Sequence, residues 1–225
     1  MLGFASVLLA ASVMVVGCGD IIAREDFDEG WEGRWKPQTP SHWAVEREGG
    51  RAILRMTEPG VPPQTIRRPS EMAIWTAASW AEVEFTAHVR CDQDVATTAR
   101  DAILILGYQD DTHFYYVHLA GRSDAVHNAI MLVNGKDRER IDRFDPSHPY
   151  PPSLTDRSFH KVRVVRAPSS GEILVYLDDK PKPAMRAVDR TLAWGRLGVG
   201  SFDDTASFHT LVAQGNRAKV PDARP

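Results

Sequence analysis

The segment WAEVEFTAHVR, residues 80–90, decides the fold class of this chain. Apolar side chains occupy every second position, and charged or polar side chains fill the positions between them. A period of two over this length predicts an antiparallel strand with one buried face and one hydrated face. The predicted buried set is Ala81, Val83, Phe85, Ala87 and Val89.

Similar short patterns recur on both sides of that strand, and helical periodicity is almost absent. Asn134-Gly135 is the strongest hairpin signal, because both residues tolerate a positive φ. Proline-rich stretches at residues 58–69 and 145–152 predict long loops. We predict an all-β fold, a two-sheet antiparallel β-sandwich with jelly-roll connections, in one domain over residues 25–213. The other predicted strands are residues 43–46, 51–56, 102–108, 113–119, 129–133, 138–143, 160–166, 172–177, 196–202 and 207–213.

The composition is that of an ordinary folded domain. The chain has 225 residues, of which 43% are hydrophobic and 25% are charged, and its formal net charge is −3. Six Trp, five Tyr and eight Phe argue against disorder. A slightly acidic chain offers no basic surface for a phosphate backbone, so we expect no nucleic acid partner. The last residues, 214–225, are polar with two prolines and predict a flexible tail.

The beginning of the chain predicts export. Residues 2–17, LGFASVLLAASVMVVG, carry no charge, and the run is short for a membrane span but fits the core of a secretory signal. It stops at VVGC, residues 15–18, which resembles a bacterial lipobox. We predict a lipoprotein signal peptide at residues 1–17, lipidation of Cys18 and a tether at residues 18–24. The alternative is a buried N-terminal strand or helix that ends in a cysteine.

Several parts of the chain resemble one known family. The longest is LGYQDDTHFYYVHLAGRSDAVHNAIMLVNGKDRERI, residues 106–141, and both EDFDEGWEGRWKP at 25–37 and WGRLGVGSFDDTASF at 194–208 agree with it. Together they resemble the concanavalin A-like jelly-roll family of bacterial exported proteins, near the laminin G-like and 3-keto-disaccharide hydrolase domains. The resemblance implies the jelly-roll fold. It implies less about activity, because this fold carries lectins, adhesion modules, hydrolases and lyases.

Polar residues on and after the strand HFYYVHL form the candidate binding site. An aromatic ring can stack on a pyranose face, and neighbouring polar groups can satisfy sugar hydroxyls. His118 and Arg138 are also the catalytic candidates, because an imidazole can act as a general base near neutrality. The alternative is that these are ordinary strand residues with satisfied hydrogen bonds. The predicted substrate-binding residues are Tyr116, His118, Asn128 and Arg138, with Asp124 and His127 in the same connection.

Standard glycosidase chemistry finds little support in the sequence. Family 16 glycoside hydrolases carry Glu-x-Asp-x-Glu on one face of a strand, whereas the nearest match here has Glu82 and Glu84 followed by Thr86. Two carboxylates without the third favour a solvated sheet face. A zinc site is not expected, because His113 and His118 lie five residues apart and would face opposite sides of one strand.

The resemblance also implies a structural calcium ion between the first and last strands. The matching acids are Asp26 and Asp28 near the start, beside Glu25, and Asp204 near the end, beside Asp203. Calcium prefers such oxygen ligands. The alternative is that these aspartates only serve turns, where Asp is common.

We therefore expect an envelope lipoprotein with a carbohydrate-binding jelly-roll domain. One alternative is an enzyme, either a glycoside hydrolase like the 3-keto-disaccharide hydrolases or a polysaccharide lyase. Another is a structural or protein-binding module of the laminin G-like kind. The expected partners are a carbohydrate or polysaccharide and a bacterial cell membrane held through the lipid anchor, with the domain facing the periplasm or the cell exterior.

Overall fold

A computed structural model describes residues 20–63 and 65–218 of the chain. The predicted signal peptide and Cys18 lie outside the described residues. In the described residues the regular structure consists of fourteen strands and two short 3-10 helices, at Trp31–Arg34 and Pro40–His42. The strands are β1 (Asp20–Glu25), β2 (Trp35–Pro37), β3 (Trp43–Glu48), β4 (Arg51–Met56), β5 (Glu71–Cys91), β6 (Asp101–Asp110), β7 (His113–Ala120), β8 (Ala129–Asn134), β9 (Glu139–Arg140), β10 (His160–Ala167), β11 (Glu172–Leu177), β12 (Met185–Val188), β13 (Gly195–Ser201) and β14 (Ala206–Arg217).

Strand β5 joins the two sheets of the sandwich, because its two halves have different neighbours. In the first half, Trp75 lies opposite Trp35 of β2 and Leu197 of β13. In the second half, Phe85 lies opposite Val164 of β10 and Ala213 of β14. Sheet I has the order β9-β8-β7-β6-β13-β5-β2, and sheet II has the order β12-β11-β10-β5-β14, with β1 and the β4–β3 hairpin on the far side of β14. All the pairings are antiparallel, as predicted.

The main core lies between the sheets and follows the predicted alternation. Val83, Phe85, Ala87 and Val89 are buried, and they pack with inward residues of β6 and β7. The pattern breaks at the sheet crossing, where Trp80 is buried and Ala81 is partly exposed. The pairings of β5 with β13 and with β14 both shift register near Trp80. A bulge there turns the large indole inward in place of the predicted alanine.

Sheet I is also buried on its outer face, which sequence alternation alone did not predict. Ile103, Ile105, Phe114 and Tyr116 form a second apolar cluster there. The proline-rich segment 57–70 covers part of it, as Ile66 packs against the cluster. Gly60 allows this close approach, because a Cβ at that position would lie 2.2 Å from the backbone oxygen of Ser70. A sheet covered on both sides reads as a continuous apolar run, as β6 does.

The structure corrects both ends of the predicted domain. Residues 20–24, predicted as tether, belong to β1, which pairs with β14 from Asp20 to Glu25. The predicted tail begins too early, because β14 continues to Arg217. The two segments supply backbone hydrogen bonds to each other, a pairing between the two ends of the chain that neither segment shows by itself. The first half of β5, β2 and β12 were also not predicted.

The strand HFYYVHL has the orientation that its alternation predicts. Tyr115, Val117 and Leu119 face the main core, and Phe114 and Tyr116 face the outer cluster.

Within residues 20–63 and 65–218, no helix is long and apolar enough to cross a membrane.

Candidate functional site

A polar cleft opens at one end of the outer face of sheet I, where β6 begins and β7 and β13 end. Its volume is about 330 Å³. Its walls include Arg67, the connection between β7 and β8, and Arg138, which follows the Asn-Gly turn by three residues. It is lined by Arg67, Thr97, Ala99, Asp101, His118, Val126, His127, Arg138, Phe202, Asp203 and Asp204.

His118 and Asp101 form the floor of the cleft. The His118 Nδ1 lies 2.8 Å from the backbone oxygen of Val126, and its Nε2 lies 3.3 Å from Asp101 Oδ2. A carbonyl and a carboxylate both act only as acceptors. Both ring nitrogens therefore face acceptors, one a backbone carbonyl and the other a carboxylate. The pair is buried, with 1% of His118 and 4% of Asp101 exposed.

Asp101 is held in its charged form by further donors. Its Oδ1 accepts hydrogen bonds from the Ser201 hydroxyl at 2.6 Å and from the Phe202 backbone N–H at 3.0 Å. Burial by itself would raise the pKa of Asp101, but the contacts with His118, Ser201 and Phe202 outweigh it and lower the pKa. The floor of the cleft is thus a buried His118–Asp101 contact in which the Asp101 carboxylate is also fixed by Ser201 and Phe202.

Asp204 has the opposite behaviour in the same cleft. Its Oδ2 accepts the backbone N–H of Asp101 at 2.7 Å. Burial, together with the negative charges of Asp101 and Asp203, raises the pKa of Asp204 to about 6. Two neighbouring carboxyl groups with pKa values shifted in opposite directions are characteristic of acid–base sites.

Phe202 lines the cleft, but its ring is buried against His118 and Arg138. Its ring centre lies 5.1 Å from that of His118, and the Arg138 guanidinium carbon lies 4.4 Å from it. Only 4% of Phe202 is exposed. No open aromatic face remains in this cleft for a sugar ring, so recognition here depends on polar groups.

Tyr116 does not line the cleft, in contrast to the predicted stacking role. It is fully buried behind Phe202, because the outer face of sheet I is covered. Its hydroxyl accepts a hydrogen bond from Arg138 Nη1 at 3.3 Å. Burial raises the pKa of Tyr116, so the phenol stays neutral. Tyr116 therefore positions Arg138.

Asn128 also lies outside the cleft and is fully buried. Its amide nitrogen donates to the backbone oxygens of Ala120 and Arg122, and its oxygen accepts from the Ala120 backbone N–H and the Ser153 hydroxyl. Its φ of 49° lies in the left-handed region, which asparagine tolerates better than most residues. Asn128 shapes the connection at residues 121–127, and the structure places it outside the residues that line the cleft.

The connection at residues 121–127 is a closed loop organised by Asp124. The Asp124 carboxylate accepts the backbone N–H groups of Val126 and His127 and lies 2.8 Å from His127 Nδ1. Burial opposes these bonds, but they lower the pKa of Asp124 to about 2. Desolvation lowers the pKa of His127, which lines the cleft. The loop therefore presents His127 on a fixed support.

The predicted calcium ligands are not brought together. Asp26 forms an ion pair with Arg24, while Asp204 accepts a backbone N–H in the cleft. Glu25 lies opposite Leu211, about 17 Å along β14 from its first residue, Ala206, and Asp204 precedes that strand. Among the residues described here, no group of three or more Asp, Glu, His or Cys side chains is placed to hold a metal. These residues do not fit a calcium site between the first and last strands.

Glu25 instead stabilises the chain segment that follows β1, residues 25–35. It is buried and accepts hydrogen bonds from the Phe27 backbone N–H, the Arg34 guanidinium and the Trp35 indole. A carboxylate with this many donors has no spare lone pairs for a cation.

The other sequence candidates are structural. Glu82 and Glu84 lie on the hydrated face of sheet II, where Glu84 pairs with Arg163 at 3.1 Å. Cys91 is a buried thiol, and burial raises its pKa to about 12. A neutral, buried thiol is a small hydrophobic residue.

Sequence reasoning missed Arg67, Asp101 and Phe202 in the cleft. Arg67 lies in an irregular segment without periodicity, so nothing in the sequence places it. Asp101 did have a signal, because it is a charged residue at the start of an apolar strand. It lies on the same face of β6 as Ile103, and Ile103 is directly opposite His118 of β7. Predicting that pairing first would have joined Asp101 to His118.

A second groove, of about 590 Å³, lies elsewhere on the sandwich. Residues 149–153 and 180–184 form most of its wall, with five prolines and Tyr150. It is more apolar than the cleft, and two exposed lysines, Lys180 and Lys182, stand at its rim.

The comparisons with known proteins support the jelly-roll fold. No protein-family model matches the chain, and no curated protein matches it. Among solved structures, it is similar to the carbohydrate-binding module CBM66 from Bacillus subtilis, with a TM-score of 0.57 and 12% identity over 81% of this chain and 96% of that one. It is also similar to the protein described as cellulose induced protein, Cip1, with a TM-score of 0.55 and 15% identity over 88% of this chain and 100% of that one.

Peanut lectin, solved with a nine-residue peptide, gives a TM-score of 0.54 and 11% identity over 89% of this chain and 99% of that one. The concanavalin A-like jelly roll is therefore confirmed as the fold of this chain. Identities this low indicate the fold alone, so function has to be argued from the cleft.

Proposed function

We propose that this chain is a carbohydrate-binding jelly-roll domain and that the polar cleft on sheet I binds the saccharide. The observation that carries the proposal is that guanidinium and carboxylate groups line one cleft. Arg67 and Arg138 supply the guanidinium groups, and Asp203 and Asp204 supply the carboxyl groups. Sugar hydroxyls both donate and accept hydrogen bonds, so they match a cleft that offers guanidinium donors beside carboxylate acceptors.

The fixed floor supports this proposal. The contacts of Asp101 with His118, Ser201 and the Phe202 backbone are made within the protein itself. The walls are therefore held in place before a ligand arrives, which reduces the entropy cost of binding. The fold supports it as well, since a carbohydrate-binding module and a lectin share the architecture.

The test is proton NMR of a panel of neutral and acidic oligosaccharides, including 3-keto disaccharides, mixed with the purified protein. The proposal predicts that the lines of an intact sugar broaden in the presence of the protein. It also predicts that both Asp203→Asn and Arg138→Gln reduce this broadening. Arg47→Gln is the matched control, because Arg47 is an exposed arginine on β3 in sheet II. Silence across the panel would leave the protein-binding alternative as the better account.

One observation favours a second candidate, an enzyme acting on a saccharide. Asp204, with its pKa raised to about 6, can hold or release a proton near neutrality and is partly exposed in the cleft. Asp101 is too buried to reach a substrate and would act by positioning His118. New anomeric signals in the NMR panel would identify a hydrolase, and unsaturated-sugar signals would identify a lyase. Either product should disappear with Asp204→Asn.

We also propose that the protein is exported and held at a bacterial membrane through lipidated Cys18. The support is the uncharged run at residues 2–17 followed by a cysteine. Cys18→Ser should move the protein from the membrane fraction to the soluble fraction. Continued membrane association of that variant would count against the lipobox.

A further inference from the structure

Two arginines that line the cleft have no carboxylate partner among the described residues, whereas several other arginines of the sandwich are paired. Arg68 pairs with Asp111, Arg140 with Asp142 and Arg163 with Glu84. Over residues 20–63 and 65–218, neither Arg67 nor Arg138 forms a salt bridge. Two arginines in one cleft without an acidic partner are a candidate anion site.

The two guanidinium groups converge on one ring. The guanidinium carbon of Arg138 lies 4.4 Å from the centre of the Phe202 ring, and that of Arg67 lies 6.0 Å from it. Both positive charges are thus gathered around a single buried aromatic ring. A guanidinium on such a surface loses part of its hydration, which strengthens its interaction with an anion.

The backbone holds the two arginines together. The Arg138 backbone N–H donates to the Arg67 carbonyl at 2.9 Å, and Arg138 Nη1 donates to the Tyr116 hydroxyl. Asp137 lies close by, but its carboxylate accepts the backbone N–H of Arg67. Arg138 uses only one terminal nitrogen on Tyr116, so its Nε and Nη2 remain for a ligand. This is the planar fork that matches a carboxylate.

We infer that the cleft selects an acidic saccharide, with the carboxylate of a uronic acid seated on Arg67 and Arg138. The inference rests on the proposed function and names its ligand class. Asp203 and Asp204 line the same cleft, where they can accept hydrogen bonds from sugar hydroxyls.

The experiment compares matched ligands that differ only in charge. Isothermal titration calorimetry with the purified protein uses short oligomers of galacturonate, glucuronate, mannuronate and guluronate, each beside its methyl ester. Esterification keeps every ring hydroxyl and removes the negative charge. At least one free acid should bind about tenfold or more tightly than its ester, since a charge-assisted pair is lost. Equal affinity for acid and ester overturns the inference and leaves saccharide binding standing.

Variants test whether the two arginines carry the effect. Arg138→Gln and Arg67→Gln should each reduce affinity for the acid and leave affinity for the ester unchanged. Arg67 is exposed in an irregular segment, so its variant folds even if Arg138→Gln does not. Arg47→Gln, on β3, should change neither affinity. If the protein binds no acid, no ester and no neutral oligosaccharide, the proposed function itself is contradicted.

Discussion

His118 and Asp101 face each other across the floor of the cleft, with Nε2 and Oδ2 3.3 Å apart and almost no exposure to solvent. The pair connects the end of β7 to the beginning of β6 and is anchored on both sides. His118 is held by the Val126 carbonyl, and Asp101 is held by Ser201 and Phe202. The contact thus links the floor of the cleft to three strands and the loop at residues 121–127.

Asp101→Asn should be strongly destabilising. The substitution puts an amide where His118 Nε2, the Ser201 hydroxyl and the Phe202 backbone N–H now face a buried carboxylate, and leaving buried polar groups without their partners costs about 1–3 kcal/mol. Urea unfolding at neutral pH measures the loss. Asp203→Asn is the control, because Asp203 is an exposed acid two residues from Ser201 and should shift stability by less than about 0.5 kcal/mol. Comparable losses in both variants would contradict a stabilising role for this buried contact.

Asp204 gives a prediction for the dependence of stability on pH. Its pKa is raised from 3.8 to about 6, by burial first and then by the charges of Asp101 and Asp203, while Arg100 opposes the shift. Between these values the folded protein holds a proton that the unfolded chain has released. Stability from this group is therefore present below about pH 4 and is lost as pH rises to about 6.

The measurement is the free energy of unfolding of the wild type and Asp204→Asn between pH 4 and pH 7. Asparagine keeps the acceptor for the Asp101 backbone N–H but does not titrate. The variant should gain stability relative to the wild type as pH rises through this window and then hold a constant difference. A difference that does not change with pH would show that Asp204 titrates normally.

Asn128→Ala should loosen the loop at residues 121–127 while the sandwich stays folded. The change removes several buried hydrogen bonds and places alanine at a φ of 49°, a loss of about 2–4 kcal/mol. Amide hydrogen exchange should show the largest loss of protection in residues 121–127. Ser123→Ala removes one of those contacts and is the milder control. Unchanged exchange in the loop would mean that Asn128 does not organise it.

Tyr116→Phe should weaken ligand binding without unfolding the protein. The change removes the hydroxyl that holds Arg138 Nη1, which is worth about 0.5–1.5 kcal/mol, or a few-fold in affinity. Tyr115→Phe is the matched control on the opposite face of the same strand, where the hydroxyl contacts Asp189 and Leu192. That control should lose stability and keep affinity. The reverse pattern would contradict a positioning role for Tyr116.

The sequence predicts the sheets of this protein better than its site. Alternation over residues 80–90 and in HFYYVHL depends on local chemistry, and both segments face as predicted, except at Trp80 and Ala81. The exception arises where β5 leaves one sheet for the other, because the bulge depends on partners far away in the chain. β1 and β2 were not predicted because they are short and pair with strands that lie far away in the chain.

The site depends on which residues the fold covers. His118 and Arg138 were found because a polar residue in an apolar strand and a cation beside a hairpin are visible locally. Tyr116 and Asn128 were assigned to substrate because alternation shows a face but not whether a loop covers it. Arg67 lies in segment 57–70, whose path is set by packing on the outer cluster, as Ile66 shows. No local pattern reports such packing.

The most direct test of the account is a map of where a saccharide binds. Amide chemical-shift changes should be recorded during titration with the tightest ligand found among the NMR and calorimetry panels. The account predicts shifts concentrated at residues 66–68, 126–128, 137–139 and 201–204, and their loss in Arg138→Gln. Shifts concentrated instead at residues 149–153 and 180–184 would place binding in the proline-lined groove and contradict the assignment of the cleft.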